Sequence, residues 1–194
     1  GHHYVYLGYY DDDGVCYPVR GRQCSTQEMP FVSEKFKTYA DFAVASIDDV
    51  LDGKTEGSNY LETQIFESSY IENLGNGDFK IVKLPGEAQI APVFGIAVHD
   101  WNNDGNKDLL VAGNYYEREV ETTRSDAGTG QILLGDGKGG FEVLRSHKTG
   151  LRAVYDVRAV ELIRTGSGKP VILVANNNSR VQVYAENEEA DLTL

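Results

Sequence analysis

The chain has 194 residues and a formal net charge of −12, with 30 Asp and Glu against 18 Lys and Arg. That length gives one domain by default and enough residues to bury a core. The acidic balance excludes polyphosphate partners and anionic membrane surfaces, which need the opposite sign, and no apolar run is long enough to span a bilayer.

In chain order, "GHH" reads as a tag remnant or an internal cut, so His2 and His3 are not taken as ligands. "YVYLGYY" and "VCYPV" flank "DDDG" and predict a hairpin with Gly14 at positive φ. The acids Asp11 to Asp13 lack alternate spacing and read as a solvated turn rather than a metal loop. Cys16 and Cys24, the only two cysteines, allow one bridge in an oxidising compartment or two unpaired thiols. Arg20 and Arg22 are expected to pair within the fold rather than clamp a partner's carboxylate.

Residues 30–53 change texture. Phe31, Val32 and Phe36, then Phe42, Val44, Ile47, Val50 and Leu51, recur at helical spacing. Thr38 with Asp41 and Ser46 with Asp49 match the loose capping-box pattern, so two or three short helices are expected, ending at Gly53. From Tyr60 onward short apolar runs with glycine turns predict strands: "TQIFESSYIEN", "FKIVKLP", "FGIAVHD", "DLLVAGN", "GQILLGD", "FEVLRS", "VRAVELI", "PVILVANN" and "RVQVYA". The acidic tail, 185–194, is expected to fray.

An internal echo runs through these strands. "GNGDF" from Gly75 falls on "GKGGF" from Gly137 at an offset of 62, and the same offset lays Ala91 on Ala153, Ala97 on Ala159 and Asn114 on Asn176. A period near 60 with about four strands per unit is what a propeller blade with loops would give. The expected fold is mainly β: an incomplete β-propeller of about two to three four-stranded antiparallel blades with the helical insertion at 30–53. The whole chain, 1–194, is read as one segment, with repeat units at about 60–121 and 122–184.

The two copies differ at one hairpin. "HDWNNDGNKD" in the first copy carries Asp100, Asn102, Asp104, Asn106 and Asp108 around Gly105, whereas the second crosses with "RTGSGKP" and no carboxylate. The turn can therefore be closed without acids, and the acids point to a further task. A nine-residue loop written D-x-N-x-D-G-x-x-D suits a calcium ion, which takes six to eight oxygens at about 2.3–2.6 Å. Asp100, Asn102 and Asp104 would offer side chains, Asn106 its backbone carbonyl, and Asp108 would close the shell, with Trp101, Asn103 and Lys107 pointing away. An EF-hand is excluded, since Val111 holds the twelfth position and the flanks are strands. Magnesium suits the loop less because it keeps its waters. The competing reading is an Asx-turn loop whose side chains bond the backbone.

"FGIAVHDWNNDGNKDLLVAGN" resembles an FG-GAP repeat, also called VCBS, in which strand, calcium loop and strand form part of a propeller blade. Phe94-Gly95 match its "FG", and Ala112-Gly113-Asn114 stands where the "GAP" tripeptide is absent. "VRGRQCSTQEMP" resembles a string from the C-terminal part of bacteroidete surface proteins associated with ASPIC/UnbV-type domains. The resemblance, extended over Gly14 to Asn178, implies Ca2+ binding and a secreted or cell-surface protein that binds protein or glycan partners or serves as a scaffold.

No nucleophile elbow, phosphate loop or convergent carboxylate pair stands out, so a non-catalytic role is expected. The alternative is part of a propeller-fold polysaccharide lyase or hydrolase. Tyr115 and Tyr116 could stack on a sugar ring, though packing is the preferred reading. Neighbouring blades or another chain are expected to complete the ring.

Overall fold

The computed structural model describes residues 8–54, 56–118 and 122–185. Of these, 35% are strand and 17% helix, and the protein is mainly β, built from small antiparallel sheets. His2, His3 and the tail beyond Ala185 lie outside the described residues. No closed barrel or propeller is present among the described residues. Contacts divide the chain into two compact units, Gly1–Glu62 and Thr63–Leu194.

The first unit opens on a hairpin of β1 (Tyr9–Asp12) and β2 (Val15–Pro18), closed by Asp13 at φ 50° and Gly14 at φ 82°. Two successive positive φ angles give the tight turn whose twist suits paired strands. Four short helices follow: α1 (Arg22–Glu28), α2 (Phe31–Lys35), α3 (Tyr39–Ala43) and α4 (Ile47–Leu51). Both expected capping boxes form. Thr38 and Asp41 bond each other's backbone N–H at 3.1 and 3.0 Å, and Ser46 and Asp49 do so at 3.0 and 2.9 Å. Each satisfies two donors that a helix start leaves without intrahelical acceptors. Helix α4 ends on Asp52 in the left-handed region, one residue before Gly53.

The unit's core is Met29, Val32, Phe36, Phe42, Ala45 and Val50, with Phe36 and Phe42 meeting edge to face at 5.4 Å. Arg22 ties the helices together: its Nε donates to the Phe36 carbonyl at 2.7 Å, and its guanidinium lies 5.4 Å from the Tyr39 ring centre. Arg20 pairs with Glu28. Both arginines thus make contacts within the fold. Cys16 and Cys24 are unbridged.

The second unit holds the remaining strands. β3 (Ser69–Gly75) and β4 (Asp78–Lys83) form one hairpin. β5 (Gly95–His99), β6 (Asp108–Ala112), β7 (Gln131–Gly135) and β8 (Phe141–Leu144) form a four-stranded sheet in simple up-and-down order. β9 (Val157–Arg164), β10 (Pro170–Asn176) and β11 (Gln182–Ala185) form a third sheet, and the one-turn helix α5 (Ser146–Thr149) precedes it. The strand expected across "TQIFESSYIEN" begins only at Ser69. Ile65 and Phe66 are exposed, at 49% and 86%, and apolar residues with no buried face do not define a strand.

Alternation along each strand assigns the cores. Ala97, Leu110, Ala112, Ile132, Leu134 and Leu144 face Val157, Val160, Ile172 and Val174, so the four-stranded sheet packs on the three-stranded one. Val111 and Leu133, on its opposite face, pack with Leu84, Ala88 and Tyr70 from the β3–β4 side. The first interface is close at Gly95, where an added Cβ would lie 2.5 Å from Val160 Cγ2 and 2.7 Å from Val160 N. Asn114, fully buried, donates to the carbonyls of Gly128 and Tyr155 at 3.0 Å each and accepts from Gly128 N–H at 2.9 Å. It joins the end of β6 to the segments entering β7 and β9.

Leu110→Ala, at a site with no exposed surface, is expected to cost about 2–5 kcal/mol, whereas Ile96→Ala, on an exposed row, should stay within about 0.5 kcal/mol. Urea unfolding midpoints of the two variants check this.

Candidate metal centre

The acidic loop joins β5 to β6, and the strands at its two ends pair directly, with His99 opposite Asp108 and Val98 opposite Leu109. Its side chains turn inward on the loop's own backbone. Asp100 Oδ1 accepts from Asp104 N–H at 3.0 Å and Oδ2 from Gly105 N–H at 2.9 Å. Asn102 Oδ1 accepts from the same Asp104 N–H at 3.1 Å, and its amide donates to Asp104 Oδ2 at 3.0 Å. Asp104 Oδ1 accepts from Asn106 N–H at 2.7 Å. Asn103 at φ 58° and Gly105 at φ 90° supply the bends this winding needs.

Asp100, Asn102 and Asp104 are therefore brought together in one network. A carboxylate oxygen has two lone pairs, so a single N–H bond leaves capacity for a cation. The donor set is hard oxygen, the type calcium selects. Among the described residues, no group of three or more His, Cys, Asp and Glu side chains is gathered as a metal cage. The Asx-turn bonds foreseen as the competing reading are present, and they fix the loop's conformation.

Asp108 stands apart. It has no exposed surface, and its two oxygens accept backbone N–H bonds, from Trp101 at 2.7 Å and from Gly135 at 2.9 Å. The carboxylate thus pins the start of the loop to its end and to the far end of β7. Trp101 points away from the loop as expected. It is 9% exposed within the core and meets His99 edge to face at 4.8 Å.

Two acids not singled out in the sequence share the site's surroundings. Asp136 and Glu142, from the β7–β8 hairpin, line an open depression of about 530 Å³ together with Asn102, Asp104 and Asn106. Asp136 Oδ1 accepts from Lys138 N–H at 2.7 Å and Gly140 N–H at 2.8 Å, which explains "GDGKGG" as a turn. The hairpins touch where Gly137 meets Asn106, whose Oδ1 lies 2.4 Å from where a Cβ would stand. The spacing of "GDGKGGF" signals only a turn. Its placement beside the loop follows from β6 pairing with β7.

Tyr115 and Tyr116 are engaged in packing. Arg158 lies 5.2 Å from the Tyr115 ring centre and 4.8 Å from that of Phe94, and the Tyr116 hydroxyl donates to the Val154 carbonyl at 2.8 Å. No family model matches the chain, and no curated protein or solved structure matches it either.

The loop's N–H bonds set its acid response. The Asn106 N–H, then the Asn102 side chain, hold the Asp104 carboxyl below its ordinary range, and the N–H groups of Lys138 and Gly140 do the same for Asp136. A depressed folded-state pKa contributes stability that is present above the unfolded value and lost as pH falls through the folded one. Asp104→Asn and Asp136→Asn should therefore each flatten the acid limb of a plot of Tm against pH. Asp108→Ala should lower Tm with or without a chelator, because two buried N–H groups lose their acceptor at roughly 1–3 kcal/mol each. Thermal melts in both conditions separate that anchoring role from an ion-dependent one.

Proposed function

We propose that the chain is a segment of an FG-GAP-type β-propeller whose β5–β6 loop holds a calcium ion, and that it serves binding or scaffolding rather than catalysis. One observation carries the blade reading. Shifted by 62 residues, the first residues of β3, β5 and β6 fall on those of β7, β9 and β10, and β4 falls one residue short of β8. Strand positions therefore recur where the sequence echo is weak. The up-and-down order of β5 to β8 and its packing between two further sheets are also what successive blades require.

In this reading Asp100, Asn102 and Asp104 supply side-chain oxygens and Asn106 its backbone carbonyl. Asp108 anchors the loop through its two N–H bonds. The ion neutralises acids that the second copy, with "RTGSGKP", does without. Calcium at such a site acts on stability by mass action and favours an extracellular or cell-surface setting, where calcium is plentiful. A protein or glycan is the partner class proposed.

Excess calcium over chelator is expected to raise Tm, corresponding to about 2.7 kcal/mol at a hundredfold excess over the dissociation constant. Asp104→Ala should abolish the shift and start from a lower chelated melt, because the Asn106 N–H loses its acceptor. An unchanged Tm for the parent chain across both conditions would remove the ion from the account.

A further inference from the structure

Residues 56–67 are exposed throughout and form neither helix nor strand. Both sides of this stretch are tied down. Before it, the Tyr9 hydroxyl donates to that of Tyr60 at 2.6 Å, and the two rings stack with centres 6.2 Å apart. After it, the Gln89 side chain bonds Ser68 as a neighbouring strand would, accepting from its N–H at 2.8 Å and donating to its carbonyl at 2.9 Å. Between the two anchors, residues 61–66 make no backbone hydrogen bond among the described residues. Leu61 is 79% and Phe66 86% exposed, and neither joins a hydrophobic core.

Apolar side chains on an unbonded backbone suit one kind of partner. An endopeptidase takes its substrate as an extended strand and pairs with the backbone, so segments already held in helices or ladders must first open. Tyr39 is 65% and Phe79 61% exposed, yet Tyr39 begins the capped helix α3 and Phe79 pairs with Asn73 in the β3–β4 ladder. Residues 117–130, which lead into β7, contain no Phe, Tyr, Trp, Leu or Met. Residues 61–66 combine large apolar side chains with a backbone that needs no opening.

We infer that residues 61–66 are a processing site for an endopeptidase whose specificity pocket takes a large apolar side chain. The peptide bond after Leu61 or Phe66 breaks. The oxygen of a water bonds to its carbonyl carbon to give a new carboxyl terminus, and the nitrogen leaves with a proton as a new amino terminus. Each compact unit keeps its core whole: Met29, Val32, Phe36, Phe42, Ala45 and Val50 before the cut, and the clusters around Leu110 and Leu133 after it. The inference rests on neither the blade reading nor the calcium ion.

The test is limited digestion of the full chain with chymotrypsin, which cuts after large apolar residues, with fragment masses read as digestion proceeds. The first cut that divides the chain should fall between Tyr60 and Glu67. A double variant, Leu61→Ser with Phe66→Ser, should keep the parent's Tm, since both side chains are exposed. It should be divided at least about tenfold more slowly, because the sites left to the protease are held by the fold and open rarely. A first dividing cut outside that stretch, or a variant divided at the parent's rate, would overturn the inference. A lowered Tm in the variant would do so too, by showing that these side chains pack.

Discussion

The buried carboxylate of Asp108 is the constraint on which the rest of the second unit depends. A buried charge without partners would be costly, and here two backbone N–H groups, from Trp101 and Gly135, satisfy it. Those two groups lie seven residues before it and 27 residues after it, so a single side chain fixes both the closure of the loop and the seating of β7 beside β6. With the ends of the loop held, the carboxylates of Asp100 and Asp104 bond the loop's own backbone. Together with Asn102 they wind the intervening backbone around themselves, accepting four hydrogen bonds from three backbone N–H groups. The same anchoring carries Trp101 into the core between the two larger sheets.

This arrangement separates two tasks that the acidic motif runs together. The half-buried Asp100 and the exposed Asp104 gather oxygen in the loop, while the buried Asp108 holds the hairpin. The neighbouring "GDGKGG" turn uses a third Asx device, Asp136, to hold its own backbone, and brings a further carboxylate beside the loop. Negative charge therefore accumulates on one rim of the four-stranded sheet.

Local features were legible in the sequence. The capping boxes at Thr38 and Ser46 need only a hydroxyl and a carboxylate three residues apart, and both form. The Asp13-Gly14 turn and the β5–β6 pairing were readable for the same reason, since the signal lies within a few residues. Helix α1 was not, because "RQCSTQE" has no apolar stripe and buries only Ser25. The span from Leu61 to Ser68 misled in the opposite sense, with apolar residues that find no buried face. The anchoring role of Asp108 was out of reach, because it depends on Gly135 arriving from another strand. Spacing alone pointed to that residue only as the one that closes the ligand shell.

The central claim is that a cation binds where Asp100, Asn102 and Asp104 meet, and Trp101, the only tryptophan, sits next to that point. Terbium, a luminescent substitute for calcium with the same preference for oxygen, should therefore glow when excited through Trp101. The account predicts sensitised emission that added calcium quenches by displacement and that is missing in Asp104→Ala. Emission no greater than that of the unfolded chain, or emission indifferent to calcium, would contradict it.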